Sequence, residues 1–278
     1  MTPQRIAINS VSTRHDSLDD ALEAYAAAGF RNVEFQMSGL KRWLADGHSV
    51  GEMRRLLDRL EVRCIGGFEA VVLAFADRQE RAANEQLHID NARLIAELGG
   101  GGVMVAGTDG PHDMDPFESL DVIGRAFAGL AERIDPSVSL ALEFNWGPIV
   151  KSIRSARFVV DAADHPRVGI LFDPAHYHCT TSKLEDLTAD LAAKVIHVHV
   201  DDMADKPGEH SHCNSDRVLP GRGILDLLAI INRLEAHGYR GYFAIEMFNE
   251  QLWNMPVREA ARQMYASMAS LCDPDPTG

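Results

Sequence analysis

The stretch Val168-Gly169-Ile170-Leu171-Phe172-Asp173-Pro174-Ala175-His176 carries no polar side chain until its sixth residue, an acid, and then turns through a proline. A continuous apolar run of this length is the mark of a strand buried on both faces, as in a parallel sheet covered by helices. Three further runs end the same way: Leu142-Glu143-Phe144-Asn145, His197-Val198-His199-Val200-Asp201-Asp202 and Ile245-Glu246-Met247. Acids and imidazoles at the carboxyl ends of successive parallel strands stand where a β/α barrel gathers its active-site groups, because its functional loops leave the core there.

Working outward, apolar runs of strand length recur eight times, at 6–9, 33–36, 62–66, 103–106, 139–144, 168–173, 195–200 and 242–247. Segments with helix spacing lie between and after them, at 17–28, 50–60, 78–98, 116–134, 155–163, 184–193, 224–237 and 257–271. Strict alternation of the two implies a parallel sheet with right-handed crossovers, and eight units imply a single (β/α)8 TIM barrel over residues 1–271, with 272–278 as a flexible tail. The boundaries agree: Gly29 and Gly238 each follow a helical segment, while Asp16-Ser17 and Asp115-Pro116 each open one. Gly99–Gly102 is expected to make a permissive turn into the fourth strand; it precedes a strand and lacks a following Gly-Lys-Ser/Thr, so it is not a phosphate loop. Residues 201–223 form a polar connection too long for a simple link, and such loops are often functional.

Composition limits the function classes. The 278 residues fit one barrel, and no apolar run approaches the roughly 20 residues that cross a bilayer. The opening Met-Thr-Pro-Gln-Arg runs directly into the first strand without a secretory apolar segment, so a cytoplasmic location is expected. Cys64, Cys179, Cys213 and Cys272 are scattered and form no Cys-x-x-Cys pair, which argues against a thiolate metal site and a disulfide framework. A net charge of −14 opposes binding to nucleic acid and suits a small neutral or weakly charged substrate.

Glu143, Asp173, His199 and Glu246 then read as one metal-ligand set, since each ends its own strand and the intervals of 30, 26 and 47 residues are those of βα units. Taken singly, a glutamate at a strand end is more often structural or solvated; the joint occurrence on four strands is what points to a metal. Three carboxylates and one imidazole suit a divalent Mn²⁺, Co²⁺ or Mg²⁺ ion, with Zn²⁺ also within reach of such a site. His197 and His199 share one strand face; His199, nearer the carboxyl end, is taken as the ligand and His197 as its structural partner. His176 is placed to hydrogen-bond a substrate oxygen, with Tyr177 and His178 as weaker candidates. Arg217, before the Pro220-Gly221 turn, is expected to hold substrate oxygens, whereas Arg222 reads as a surface charge.

The ordered segments Leu-Glu-Phe-Asn, Phe-Asp-Pro-Ala-His, His-Val-Asp-Asp, Arg-Val-Leu-Pro-Gly-Arg-Gly and Ile-Glu-Met resemble the xylose isomerase-like superfamily of sugar isomerases and epimerases, from Val33-Glu34-Phe35 to Glu246. The resemblance implies a divalent metal held by Glu143, Asp173, His199 and Glu246, substrate oxygens bound by His176 and Arg217, and Glu143 with Glu246 as the acid/base pair. It implies an isomerase or epimerase of a sugar, keto-sugar or cyclitol acting through an enediolate, or a lyase/dehydratase sharing that first proton abstraction. It also implies a homodimer or homotetramer. Two departures narrow it. Asp201 stands where the family often has Lys, and Ile149 where ketose 3-epimerases usually have a further Glu. An endonuclease IV-like phosphodiesterase would call for histidines where Phe68, Gly107 and Val218 stand, and a non-catalytic sugar-binding barrel would not need a metal flanked by two glutamates.

Overall fold

The computed structural model describes residues 1–111, 113–147 and 149–272. Eight parallel strands close into a barrel: β1 (Ile6–Asn9), β2 (Asn32–Gln36), β3 (Arg63–Phe68), β4 (Gly102–Ala106), β5 (Val138–Glu143), β6 (Val168–Phe172), β7 (Val195–Val200) and β10 (Phe243–Ile245). The seam between first and last is formed by Ile6 against Phe243 and Ile8 against Ile245. Two short strands, β8 (Asp202–Met203) and β9 (Arg217–Val218), pair antiparallel outside the barrel. The third strand starts and ends slightly later than the expected 62–66, and the long polar connection 201–223 contains the β8–β9 ribbon.

Alternation along the strands decides what faces the barrel interior. Leu140, Leu142, Ile170, Phe172, Val33 and Phe35 belong to the large core that also holds the helix residues Ile123, Phe127 and Val159. Their neighbours form separate small apolar clusters, Ala7 with Ile65 and Ala244, and Val105 with Ala141 and Leu171. Successive side chains on a strand point to opposite faces, so the second set fills the barrel and the first set packs under the helices. Two residues further along the interior face from Ala7, Ala141, Leu171, His197 and Ala244 come Asn9, Glu143, Asp173, His199 and Glu246. By the same parity Glu34, flanked by Val33 and Phe35, faces inward. Apart from His197 the barrel is thus apolar in its middle, and it is polar at its carboxyl mouth.

The helices begin where side chains accept orphan backbone N–H groups: Ser17 before Leu18–Ala28, Ser49 with Glu52 before Val50–Leu60, Asp77 before Arg78–Gly99, Asp115 before Pro116–Ala131, Ser152 before Ile153–Ala163 and Asp226 before Leu227–Ala236. Gly29 and Gly238 end their helices with φ of 117° and 97°, and Gly100, Gly101 and Gly102 all take positive φ in the turn into β4. The expected helix at 184–193 is instead a 3-10 turn, Leu184–Asp186, and a single helical turn, Ala189–Ala192, because Thr188 caps a fresh start. Short helices at Met37–Ala45, Pro174–Cys179 and Glu250–Trp253 occupy loops after strands and were not apparent from periodicity. Of the tail expected at 272–278, all but Cys272 lies outside the described residues. No helix among the described residues is long and apolar enough to cross a membrane.

Candidate metal centre and active site

Glu143, Asp173, His199 and Glu246 converge at the carboxyl mouth, each offering one ligand atom within 4.8 Å of all the others. His199 Nδ1 lies 3.2 Å from Glu246 Oε2, 3.6 Å from Asp173 Oδ2 and 3.7 Å from Glu143 Oε1. That nitrogen is buried and makes no hydrogen bond. An ion with bonds of about 2.1 Å separates tetrahedral ligands by about 3.4 Å, and octahedral neighbours by about 3.0 Å. The observed spacing therefore fits a divalent cation, and the orphaned Nδ1 is the observation that a metal would explain.

Each carboxylate is held by named partners. Glu246 Oε1 accepts from Asn9 Nδ2 at 3.0 Å and Oε2 from Arg217 Nη1 at 2.9 Å. Asp173 Oδ1 caps the helix Pro174–Cys179 by accepting from the His176 backbone N–H at 2.9 Å, and Oδ2 accepts from Arg217 Nη2 at 3.1 Å. Glu143 is the least constrained, with 19% of its side chain exposed and its Oε1 3.6 Å from His176 Nε2. On the far side of His199, Nε2 lies 3.0 Å from Glu34 Oε2, and the same oxygen lies 3.0 Å from His197 Nε2.

Arg217 is wholly buried. Beyond the bonds to Asp173 and Glu246, Nε donates to the Cys213 carbonyl at 2.7 Å, Nη1 to the Glu246 carbonyl at 3.0 Å, and Nη1 lies 2.7 Å from Asp201 Oδ2. The expected substrate-holding guanidinium thus spends these contacts on the protein, as a counter-charge among three carboxyl groups, while its edge still borders the cavity. Its position depends on Asp202, whose buried carboxylate accepts from the backbone N–H groups of Met203, Gly221, Gly223 and Leu225 at 2.9–3.0 Å. A Cβ on Gly223 would come within 2.3 Å of the Asp202 carboxylate, so only glycine lets the loop close this tightly. Arg222, as expected, is exposed.

Charge in this low-dielectric cage is uneven. Burial, reinforced by Glu246 and partly offset by His199, raises the Glu143 carboxyl to about 8. For Asp173, burial alone would act upward, but Arg217, His176 and His199 outweigh it and hold the carboxyl well below its ordinary range. Burial, aided by Asp173 and Glu246, drives Asp201 far up despite Arg217 alongside. Asp201 is accordingly the carboxyl beside Arg217 to which we assign the protonated state. Burial lowers His176, whereas the charges of Glu246 and Glu34 overcome burial and raise His199 well above an ordinary imidazole.

Above the cage opens a cavity of about 450 Å³, walled by Phe68, Trp146 and Phe248 with Asn145, Asn214 and His176 as polar contacts. Trp146 is half exposed and meets His212 edge-on at 5.0 Å. Among the described lining residues Arg217 is the one arginine or lysine. A wider depression of about 1050 Å³ lies at the opposite mouth among Arg5, Arg31, Arg63 and Arg240, and none of the clustered ligand residues reaches it. Tyr177 and His178 lie outside the cavity lining, whereas His176 is part of it. Sequence reading passed over Asn9 and Glu34; the signal for both was parity, a polar residue on the interior face of an otherwise apolar strand.

A family model for xylose isomerase-like TIM barrels matches residues 22–271. An inosose isomerase from Bacillus velezensis is 31% identical over 136 residues, 48% of this chain and 48% of that protein, so the match spans about half the length of that relative. A 3-dehydroshikimate dehydratase from Pseudomonas putida is 27% identical over 278 residues, 92% of this chain but 40% of the longer relative. Among solved structures, that of IOLI protein with a binding zinc atom superposes with a TM-score of 0.86 at 22% identity, covering 96% of this chain and 97% of the other, a likeness of fold. With the closed eight-stranded barrel and the match over residues 22–271, the chain belongs to the xylose isomerase-like TIM barrel family.

Proposed function

We propose that this protein is a divalent-metal-dependent isomerase or epimerase of an uncharged keto-sugar or keto-cyclitol, with Glu143, Asp173, His199 and Glu246 as metal ligands and Glu143 and Glu246 as the groups that move the proton. The observation that carries the reading is the buried, unpartnered His199 Nδ1 facing three carboxylate oxygens beneath a cavity. The donor set suits Mn²⁺, Co²⁺ or Mg²⁺, and the zinc of the IOLI structure adds Zn²⁺. When bound, such a cation stabilises negative charge developing on a substrate oxygen next to the reacting carbon.

The chain's own residues supply the rest. Glu246, fixed through both oxygens by Asn9 and Arg217, presents a carboxylate in a set orientation, as proton removal from carbon requires. Glu143, the least constrained of the carboxylates and bordering the cavity, is the second group placed to take and return a proton. His176 lines the cavity, where its ring can bond a substrate hydroxyl. Asn145 and Asn214 add neutral donors and acceptors, and the aromatic walls suit the apolar face of a ring.

A second reading, a lyase that expels a β-substituent after the same proton abstraction, is favoured by the alignment with the dehydratase over 92% of this chain. Against a carboxylated substrate stands the lack of a free guanidinium or ammonium among the described lining residues: Arg217 is already surrounded by Asp173, Asp201 and Glu246. The test is a screen of inososes, ketoses, 3-keto-glycosides and dehydroshikimate in deuterated water with Mn²⁺, followed by NMR. Deuterium entering a neutral substrate at the carbon beside its carbonyl, and lost in Glu246→Gln assayed at saturating Mn²⁺, is the expected result. Exchange of dehydroshikimate with loss of water would select the lyase, and no exchange with any of them would refute both readings.

A further inference from the structure

We propose that Glu34 is a positioning residue for the metal: by accepting an N–H from His199 and another from His197 on one oxygen, it fixes His199 with its Nδ1 lone pair turned into the ligand cage. This rests on the reading of the cage as a metal centre. The argument begins with hydrogen count. Glu34 Oε2 lies 3.0 Å from Nε2 of both histidines, in a fully buried position. A carboxylate oxygen only accepts, so at these distances both nitrogens must carry hydrogen; a lone pair on either would repel it. A neutral His199 then has its remaining lone pair on Nδ1, the atom ringed by Glu143, Asp173 and Glu246.

Stability alone gives no reason to keep Glu34. Its second oxygen is buried without a hydrogen bond, and a half-satisfied carboxylate in a barrel interior is costly. An apolar residue would fill the interior as Ala7 and Ile65 do elsewhere in the barrel. What Glu34 uniquely provides is an anionic acceptor behind the imidazole, which orients the ring and raises its basicity towards a cation. The Glu34, His197 and His199 atoms are also close enough to suggest a second ion, but Nε2–Oε2 separations of 3.0 Å with a complete hydrogen count describe hydrogen bonds.

The experiment uses the full chain loaded with Zn²⁺, which is diamagnetic. In the wild type, one ion per chain and long-range ¹⁵N correlations placing hydrogen on His199 Nε2 and none on Nδ1 are expected. Glu34→Gln keeps an oxygen acceptor but sets an amide N–H towards the cluster, and competition with a chelator should show affinity reduced roughly 10- to 100-fold, with the His199 Nε2–H resonance shifted or lost. Two ions per chain, hydrogen on Nδ1 in the loaded wild type, or an unchanged affinity and resonance in the variant would each overturn the proposal while leaving the metal centre standing. Should Glu34→Gln not fold, the wild-type stoichiometry and tautomer decide alone. Wild-type protein that takes up no Zn²⁺ would remove the metal reading and this inference together.

Discussion

Because Glu143 keeps its proton to about 8 in the cage, metal uptake should be coupled to pH far above the range of ordinary carboxylates. A ligand oxygen must be deprotonated to bind. With a midpoint of about 8, about 1% of Glu143 is ionised at pH 6, about 9% at pH 7 and about 91% at pH 9. Apparent affinity should therefore rise about tenfold per pH unit from 6 to 8 on account of this residue, and level off above. His199, also raised, must lose a proton from Nδ1 and steepens the slope. Isothermal titration with Mn²⁺ in buffers of different ionisation enthalpy, repeated across this range, gives both affinity and protons released. The metal-free protein supplies an independent check. Its Glu143 holds a proton from 4.5 to about 8 where the unfolded chain has lost it, so the folded form binds more protons and stability falls as pH rises through that window, by an amount of order a few kcal/mol. Metal-loaded protein should not show that slope. An affinity flat between pH 6 and 8, with no proton release, would refute the electrostatic account of the cage.

Further perturbations separate the supporting residues. Arg217→Met leaves Asp173 and Glu246 without their buried counter-charge and should cost about 3–5 kcal/mol in chemical denaturation of the metal-free protein; a loss near zero would mean the ion pairs are not those seen here. Asp201→Asn should change stability by less than about 1 kcal/mol, because burial already keeps that carboxyl protonated; a large loss would show it to be ionised. Asp202→Ala removes the acceptor of four loop N–H groups and should cost about 2–3 kcal/mol and weaken metal binding through Arg217, read by melting and chelator competition. Trp146→Ala should raise KM for a ring substrate more than it lowers kcat, since the indole borders the cavity and not the ligand cage.

The barrel was legible because burial on both faces writes strands as uninterrupted apolar runs, and because each of the four acidic or imidazole residues ends such a run. Parity along β5, from Ala141 to Glu143, and along β10, from Ala244 to Glu246, is enough to aim both carboxylates inward. Less legible were groups whose function depends on partners remote in the chain. Glu34 is 163 residues from His197, and in its own segment it is merely a charge between Val33 and Phe35. Arg217 looked like a substrate contact because a Pro-Gly turn follows it, but what it meets is set by a two-stranded ribbon that no periodicity announces. The helix expected at 184–193 failed for a local reason, since Thr188 restarts the helix and the polar periodicity around it does not register the break.

All four proposed ligands lie beyond residue 138, on β5 and β7 and just past β6 and β10, while Asn9 and Glu34 come from the first two strands. Half of the polypeptide thus carries the coordinating atoms and the other half carries the struts that aim two of them. Asn9 reaches Glu246 only when Ile6 and Ile8 have zipped against Phe243 and Ile245. Metal capture in a refolding chain should consequently come late, after the two ends of the molecule have met, and a bound ion would act as a latch on ring closure, slowing the parting of first and last strands.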